Sequence, residues 1–106
     1  VAQLQSLGCN AIGMSGADSN VIKAHKRVAA IDYGFVGDID EVNTEVLHTL
    51  LQINDAVVLA PITHDGKGQL LNTNADTIAQ ETAKAMSRLY RVDLIYSFEK
   101  SGVLLD

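Results

Sequence analysis

A continuous apolar run occupies Ala56-Val57-Val58-Leu59-Ala60. An uninterrupted run of this kind is typical of a β-strand that is covered on both faces, as in a parallel sheet. Pro61 follows directly, and proline has no backbone N–H to donate to a sheet, so we expect the strand to end there or to lie at an edge. The run therefore predicts a buried strand near the middle of the chain.

Helical patterns flank this strand on both sides. Upstream, apolar side chains recur at helical spacing between residues 46 and 51, and Asn43 or Thr44 is suited to cap that helix. Downstream, residues 75–87 carry the strongest helical pattern of the chain. Its apolar face consists of Ala75, Ile78, Ala79, Thr82, Ala83 and Met86.

Further apolar segments predict additional strands. They lie at residues 9–14, 28–32, 35–42, 69–73 and 91–98. The second and third of these are expected to join around Tyr33-Gly34, and an Asp-Gly pair within residues 64–68 indicates a hairpin turn. Because helices alternate with apolar strands, the fold class is α/β. We expect a three-layer αβα sandwich with a mainly parallel central sheet, formed by residues 1–106 as one partial domain.

Composition excludes several classes of protein. The net charge of −5 disfavours nucleic-acid binding, which depends on clustered Lys and Arg. No segment approaches the ~18 apolar residues of a membrane span, and no signal-peptide pattern opens the chain. Cys9 is the single cysteine, so we expect no internal disulfide and a cytoplasmic location. The opening without Met and the apolar ending suggest an internal part of a longer chain.

A polar segment follows the predicted strand at residues 69–73. It reads Leu71-Asn72-Thr73-Asn74-Ala75-Asp76, and in an extended backbone the side chains of Asn72, Asn74 and Asp76 would all point the same way. Three polar groups beside a helix N-terminus are suited to handle a phosphate or a carboxylate. Two plainer interpretations stay open: Asp76 favours the helix dipole, and the asparagines bond to their own backbone.

A second polar loop, Ser15-Gly16-Ala17-Asp18, follows the strand expected at residues 9–14. It lacks the lysine and the spacing of a P-loop, so an ordinary connecting loop is the alternative. Ligands bind at the carboxyl ends of parallel strands, and we therefore expect residues 15–20, 72–76 and 99–102 to lie close together. The three histidines are scattered without ligand spacing, so we expect no metal site built by protein side chains.

Four segments of the chain, taken in order, match the motifs of one family. They are Gly13-Met14-Ser15-Gly16-Ala17-Asp18, Asp32-Tyr33-Gly34-Phe35-Val36-Gly37-Asp38-Ile39, Ala60-Pro61-Ile62 with Asp65-Gly66 and Gly68-Gln69, and Asn72-Thr73-Asn74-Ala75-Asp76. With the last segment matching an N-x-N-A-D motif, the chain resembles the amino acid kinase family, most closely its acetylglutamate kinase branch. The similarity extends over nearly all of the 106 residues.

The resemblance implies a reaction and a set of site residues. Enzymes of this branch transfer the γ-phosphoryl group of ATP, with Mg²⁺, to the side-chain carboxylate of an N-acylglutamate in arginine biosynthesis. By match, Asp76 would be catalytic and would orient two lysines. Asn72 would bind the α-carboxylate of the substrate, and Asn74 would be a neighbouring substrate-binding residue.

The resemblance also implies a nucleotide-binding segment. It would consist of Glu99, Lys100, Ser101, Gly102, Val103 and Leu104. Phe98, Glu99 and Lys100 depart from the T/S-D-V pattern of the family at this position. Both catalytic lysines would lie outside residues 1–106, so we expect the chain alone to have no kinase activity.

The implied partners are a small-molecule substrate and, in the full-length protein, further copies of the same subunit, with no nucleic acid and no membrane. Two alternatives remain open. One is another branch of the family, such as an aspartate, glutamate or uridylate kinase. The other is a noncatalytic domain that binds a nucleotide or an amino acid for regulation.

Overall fold

A computed structural model of the chain describes residues 1–97. Within that range the helices and strands follow one another in a mixed α/β order. They are α1 (Ala2–Ser6), β1 (Ala11–Ser15), β2 (Ile22–Lys26), β3 (Gly37–Val42), α2 (Thr44–Ile53), β4 (Ala56–Ala60), β5 (Ile62–His64), β6 (Leu70–Asn72) and α3 (Ala75–Met86). The longest of these helices, α3, has 12 residues, and none of them is long and apolar enough to cross a lipid bilayer.

The strands form two sheets. β1 and β4 pair in parallel, from Ala11 opposite Ala56 to Ser15 opposite Ala60. The second sheet has the order β3-β2-β5-β6, in which β2 and β5 are parallel and the two outer pairs are antiparallel. The α/β class predicted from the sequence is therefore confirmed, with one parallel and one mixed sheet among residues 1–97.

The helices begin where the sequence predicts. The Asn43 side chain accepts a hydrogen bond from the backbone N–H of Val46 at 3.3 Å and caps α2. Both long helices pack on the strands through one buried cluster, to which α2 contributes one side chain and α3 two. The cluster consists of Val21, Ile22, Leu47, Ile78 and Met86.

The strand at the middle of the chain is covered on one face within the described part of the molecule. Val57 and Leu59 of β4 pack against the buried cluster, whereas Val58 is 42% exposed. β4 ends before Pro61, as the missing proline N–H predicts. The apolar run thus identifies the strand and its end correctly, while covering of both faces is not observed among residues 1–97.

The predicted strand at residues 28–32 is wrong, and the segment before it, which was not predicted as a strand, forms β2 instead. Ile22 and Ala24 are almost completely buried, while Lys23 and His25 between and after them are exposed. This period-two pattern is that of a strand with one buried face. Val28 is 93% exposed, so residues 28–32 belong to the loop that connects β2 to β3.

The predicted strand at residues 91–98 is also not observed. Residues 91–97 contain no strand, and Ile95 in the middle of the apolar run is 82% exposed; Phe98 lies outside the described residues. Strand formation needs a neighbouring edge that supplies hydrogen bonds. No strand of residues 1–97 pairs with this segment.

The remaining predicted strands are confirmed with adjusted bounds. β1 begins at Ala11, later than the expected residue 9, and its side chains are at most half-buried. β5 and β6 form the hairpin that the Asp-Gly signal indicates, and Gly66 and Gly68 adopt positive φ values of 79° and 93° in its turn.

Candidate functional site

The candidate site lies where the two sheets meet. β1 and β4 both end at the level of the Ser15–Ala60 pair, and the chain then continues from each of them into the second sheet. On the second sheet, Asn72 at the end of β6 is paired with Ile62, two residues beyond the end of β4. The carboxyl ends of the parallel strands β1 and β4 therefore lie beside the motif at residues 72–76, as expected for a ligand site in an open α/β sheet.

Asn72 is fixed by its backbone and free in its side chain. Its N–H donates to the carbonyl of Phe35 at 2.8 Å, and it forms a parallel bridge with Val36. The residue is exposed, and within residues 1–97 its side-chain amide makes no hydrogen bond. The backbone of Asn72 is thus held in place, and the donors and acceptor of its side-chain amide are available to a ligand.

Asn74 is the N-cap of α3. Its side-chain oxygen accepts hydrogen bonds from the backbone N–H groups of Asp76 at 2.8 Å and Thr77 at 3.4 Å. The extended backbone therefore ends before Asp76, and the expected alternation of Asn72, Asn74 and Asp76 on one side is wrong. The cap interpretation left open for this asparagine is the one the structure shows, because the first N–H groups of a helix need acceptors.

Asp76 lies in the first turn of α3. Its side chain is exposed, and in the described part of the chain the carboxylate accepts no hydrogen bond and pairs with no cation. The position suits the dipole of α3, which favours a negative charge in the first turn. The carboxylate also remains free to receive the hydrogen bonds of positively charged groups outside residues 1–97.

The loop after β1 closes on itself. The Asp18 carboxylate accepts hydrogen bonds from the backbone N–H of Ser15 at 2.7 Å and from its hydroxyl at 3.1 Å. A Cβ atom at Gly16 would lie 2.7 Å from the carbonyl oxygen of Ile62, so only glycine allows this contact. The loop thereby abuts the start of β5.

Two of the three polar loops expected to cluster are thus joined through the same short segment. Gly16 packs on Ile62, and the N–H of Thr73 donates to the carbonyl of Pro61 at 3.1 Å. The third loop, at residues 99–102, lies outside the described residues, as do all six residues of the predicted nucleotide-binding segment. They are Glu99, Lys100, Ser101, Gly102, Val103 and Leu104.

An apolar cavity of about 360 Å³ begins beside the motif at Ala75. Val57 and Leu59 of β4, Ile78 and Met86 of α3, and Leu94 line it. Its lining is mostly apolar and carries no charged side chain, with Thr82 contributing a hydroxyl, so it is poorly suited to hold a phosphate. Among residues 1–97, no group of three or more His, Cys, Asp or Glu side chains is arranged to hold a metal ion.

Two carboxylates outside the motif, those of Asp38 and Asp65, make hydrogen bonds that stabilise loops of the fold. The Arg27 guanidinium donates to Asp38, with 2.8 Å between Nη2 and Oδ1, and this hydrogen bond lowers the pKa of the Asp38 carboxyl. In the β5–β6 turn, hydrogen bonds from the backbone N–H groups of Lys67 and Gln69 lower the pKa of Asp65. These contacts hold the β2–β3 loop and the turn, both at a distance in sequence from the motif.

Sequence reasoning missed the residues that anchor the motif from below. Thr63 and Thr73 are buried, and their hydroxyl oxygens lie 3.0 Å apart. Thr73 also donates to the carbonyl of Gly37 at 3.1 Å. The sequence does contain a signal for the burial of Thr73. It lies between Asn72 and Asn74 at the end of a strand, where alternation directs its side chain to the face opposite to theirs.

Comparisons with known proteins agree with this arrangement. A sequence model of the amino acid kinase family matches residues 1–92, most of the chain. The chain belongs to the amino acid kinase family. The family resemblance drawn from the four motifs is therefore confirmed.

Several curated relatives have been named for an activity. Proteins named acetylglutamate kinase from Phocaeicola vulgatus, Bacteroides thetaiotaomicron and Parabacteroides distasonis are 59%, 57% and 56% identical over the whole of this chain. The chain spans 42% of the length of each of them. The similarity thus covers all of this amino acid kinase segment and about two fifths of its relatives.

A solved structure has the same fold. The crystal structure of smu.665 from Streptococcus mutans matches with a TM-score of 0.72 at 27% identity. The match covers 81% of this chain and 35% of that one. The arrangement of strands and helices described above is therefore one that occurs in an experimentally solved protein.

Proposed function

We propose that this chain is the part of an acetylglutamate kinase that binds the amino acid substrate and organises the catalytic charges. The observation that carries the proposal is the motif at residues 72–76. There, two exposed side chains without partners among residues 1–97, Asn72 and Asp76, lie beside the carboxyl ends of the parallel strands β1 and β4. The 59% identity to a named acetylglutamate kinase over the whole chain supports the same choice.

The proposed reaction transfers the γ-phosphoryl group of ATP to the side-chain carboxylate of N-acetyl-L-glutamate. A carboxylate oxygen attacks the γ-phosphorus, the bond from that phosphorus to the bridging oxygen breaks, and ADP leaves with the electron pair. The nucleophile is already ionised, so no general base is needed. Catalysis of this kind depends on positioning and on compensation of the charge on the transferred group.

Three residues divide the work in this proposal. Asn72 donates its amide to the α-carboxylate of the substrate, and its backbone bond to Phe35 keeps it in place. Asp76 orients the cationic groups that flank the transferred phosphoryl group, for which its free carboxylate is suited. Asn74 fixes the start of α3, because its side-chain oxygen is engaged by two N–H groups of that helix.

ATP and Mg²⁺ are part of the proposal as the phosphoryl donor and its counterion. Residues 1–97 offer no cluster of three ligands for a metal. This fits Mg²⁺, which is commonly held by nucleotide phosphates, water and one or two carboxylates. Glu99 is the carboxylate of the predicted nucleotide segment, and in this proposal it reaches the Mg²⁺ or the ribose.

The test is a kinase assay on the full-length protein that contains these 106 residues. We expect ATP-dependent formation of an acyl phosphate from N-acetylglutamate, trapped as a hydroxamate, and at most weak activity with glutamate, aspartate or uridine monophosphate. Asp76→Asn should lower kcat by at least about 100-fold, in the range that a lost charge-organising group produces. Glu81→Gln on the same helix is the matched control and should leave kcat unchanged.

Other outcomes would redirect the assignment. Preferential turnover of aspartate, glutamate or uridine monophosphate would place the chain in another branch of the family. Binding of nucleotide and acylglutamate without turnover would favour the regulatory domain, an alternative to which the departures at Phe98, Glu99 and Lys100 point. Equal activity of Asp76→Asn and the wild type would refute the role given to Asp76.

The proposal also includes what the chain does alone. The isolated 106 residues should not turn over ATP, because the two lysines that Asp76 would orient are not among the matched motifs. Further parts of the proposal are a cytoplasmic location and association of the full-length protein with copies of itself. Size-exclusion chromatography with light scattering tests the association.

A further inference from the structure

Two threonine hydroxyl groups meet inside the protein directly beneath the candidate site. Thr63 of β5 is 0% exposed and Thr73 is 7% exposed, and they are the buried polar residues of the described chain. Their hydroxyl oxygens are 3.0 Å apart, and Thr73 lies 3.1 Å from the carbonyl oxygen of Gly37. The contact links three segments: the start of β3, the middle of β5 and the connection from β6 to α3.

The direction of the hydrogen bonds follows from the chemistry of the acceptor. A carbonyl oxygen only accepts, so the Thr73 hydroxyl uses its single proton for Gly37. The hydroxyl of Thr63 is therefore the donor to Thr73. The alternative acceptor for Thr63, the carbonyl of Leu71, is more distant at 3.5 Å. The result is a directed chain of two hydrogen bonds that ends on the backbone.

Gly37 makes this chain possible by having no side chain. A Cβ atom there would lie 2.9 Å from Cβ of Leu71 and 3.0 and 3.1 Å from the two threonine hydroxyl oxygens. Any larger residue would push the start of β3 away from β6. The hydroxyl chain therefore depends on the close approach of the backbone at Gly37 to that of β6, which only glycine allows.

The residue that ends the chain stands inside the motif. Thr73 follows Asn72 and precedes the cap Asn74, and both neighbours are exposed while Thr73 is buried. Its backbone N–H is also bonded, to the carbonyl of Pro61 at 3.1 Å. Position 73 is thus held through both its backbone and its side chain, between Asn72 and the start of α3.

We propose that Thr73 is a positioning residue for the site and that Thr63 and Gly37 hold it in place. The inference rests on the proposed function, in which Asn72 binds the amino acid and Asp76 organises the catalytic charges. The hydroxyl chain fixes the strand end that carries Asn72 and the first turn of α3 that carries Asp76. A displacement of about 1 Å at such a site is enough to slow a reaction substantially.

The test compares isosteric and hydroxyl-retaining variants of the full-length protein. Thr73→Val removes the hydroxyl at nearly constant volume, and Thr73→Ser retains it. We expect Thr73→Val to raise KM for N-acetylglutamate about tenfold, the size produced by one lost hydrogen bond, and to lower kcat. KM for ATP should change less than about twofold, because the proposed ligand of Asn72 is the amino acid and not the nucleotide, and Thr73→Ser should stay within about threefold of the wild type.

Thr82→Val is the matched control, because within residues 1–97 the Thr82 hydroxyl is buried without a hydrogen-bond partner. This variant should leave both KM values unchanged. Thr63→Val should raise KM for N-acetylglutamate by a smaller factor than Thr73→Val, and the double variant should be no worse than Thr73→Val alone. Such non-additivity identifies residues that act as one unit.

The kinetic pattern separates positioning from stability. A purely structural role would lower the melting temperature and the active fraction while both KM values stayed constant. That result, or equal KM values for Thr73→Val and Thr73→Ser, would overturn the proposal. If Thr73→Val does not fold, Thr63→Val carries the same test. Absence of N-acetylglutamate kinase activity in the wild type would instead refute the proposed function.

Discussion

Two short segments of this chain both contain consecutive large apolar residues, but only one of them forms a strand. Leu70-Leu71-Asn72 forms β6, in which Leu71 is 2% exposed beside the hydroxyl chain of Thr63 and Thr73. Leu94-Ile95-Tyr96 contains no strand, and Ile95 is 82% exposed. The first segment has the edge of β5 as a partner, while the second has no partner strand within residues 1–97. Apolar sequence identifies material for a strand, but an available edge decides whether the strand forms.

The central side chains of the two segments, Leu71 and Ile95, should differ most in their contribution to stability. In the full-length protein, Leu71→Ala should lower the free energy of unfolding by about 3 kcal/mol, because it leaves a cavity in a packed interior. If Ile95 is as exposed there as it is here, Ile95→Ala should change the free energy of unfolding by less than about 0.5 kcal/mol. Urea unfolding followed by circular dichroism measures both. A large effect of Ile95→Ala would mean that this segment acquires a packed partner from outside residues 1–97.

A second prediction concerns the close backbone contact beneath the first segment. Gly37→Ala should cost about 2 kcal/mol of stability, because the added methyl group meets Leu71 and both threonine hydroxyl groups at about 3 Å. Urea unfolding of the variant beside the wild type measures this loss.

Gly34→Asn is the control for that substitution. Gly34 has a φ of 72°, which asparagine tolerates, and no atom lies within 4 Å of the place that a Cβ would occupy. Its cost should be clearly smaller than that of Gly37→Ala. Equal costs for the two variants would contradict tight packing at Gly37.

A third prediction tests the connection from β6 to α3. Asn74→Ala removes the acceptor of two backbone N–H groups and should cost about 1 kcal/mol, as is usual for an N-cap. Asn74→Asp keeps the acceptor and should retain nearly all of the stability. Thermal unfolding of both variants gives the comparison, and a neutral Asn74→Ala would show that the cap is dispensable.

The smallest expected effect is a pH dependence in the turn before β6. The pKa of Asp65 is lowered in the folded state by the N–H groups of Lys67 and Gln69, so its contribution is fully present above the ordinary pKa of an aspartate. The contribution is lost as the pH falls through the lowered value. Asp65→Ala should therefore be less stable than the wild type at pH 7, and the difference should shrink at low pH.

Asp93→Ala is suited as the reference for this experiment, because Asp93 is exposed and makes no hydrogen bond or ion pair with residues 1–97. It should show a difference from the wild type that does not shrink in the same way. A pH-independent difference for Asp65→Ala would contradict the role of the turn hydrogen bonds. Urea unfolding at pH 7 and at pH 3 supplies the data.

Local signals in the sequence were sufficient for the elements that depend on local interactions. The cap at Asn43, the helix α3, the end of β4 before Pro61 and the Asp-Gly turn all follow from contacts within a few residues. Capping, proline chemistry and turn conformations require no knowledge of the rest of the fold. Such features were predictable for that reason.

Elements that depend on distant partners were not predictable in the same way. β2 has charged residues on its exposed face, and only the burial of Ile22 and Ala24 against other segments reveals it as a strand. The family motif gave Asn72 and Asp76 as site residues, which remains a prediction. The hydroxyl chain below them stayed hidden, because Thr63 and Thr73 are brought together only by the pairing of β5 with β6.

The junction at Ser15 and Ala60 has a mechanical consequence. Both strands of the parallel pair end at the same level, and the chain continues into the other sheet through Pro61 alone after β4 and through residues 16–21 after β1. A rotation of one sheet against the other must therefore bend the backbone after Ser15 and at Pro61 at the same time. The loop that contains Gly16 packs on Ile62, and Thr73 bonds to Pro61, so both would move together with this part of the backbone. A rotation between the sheets would therefore displace the loop after β1 and the segment at residues 72–76 at the same time.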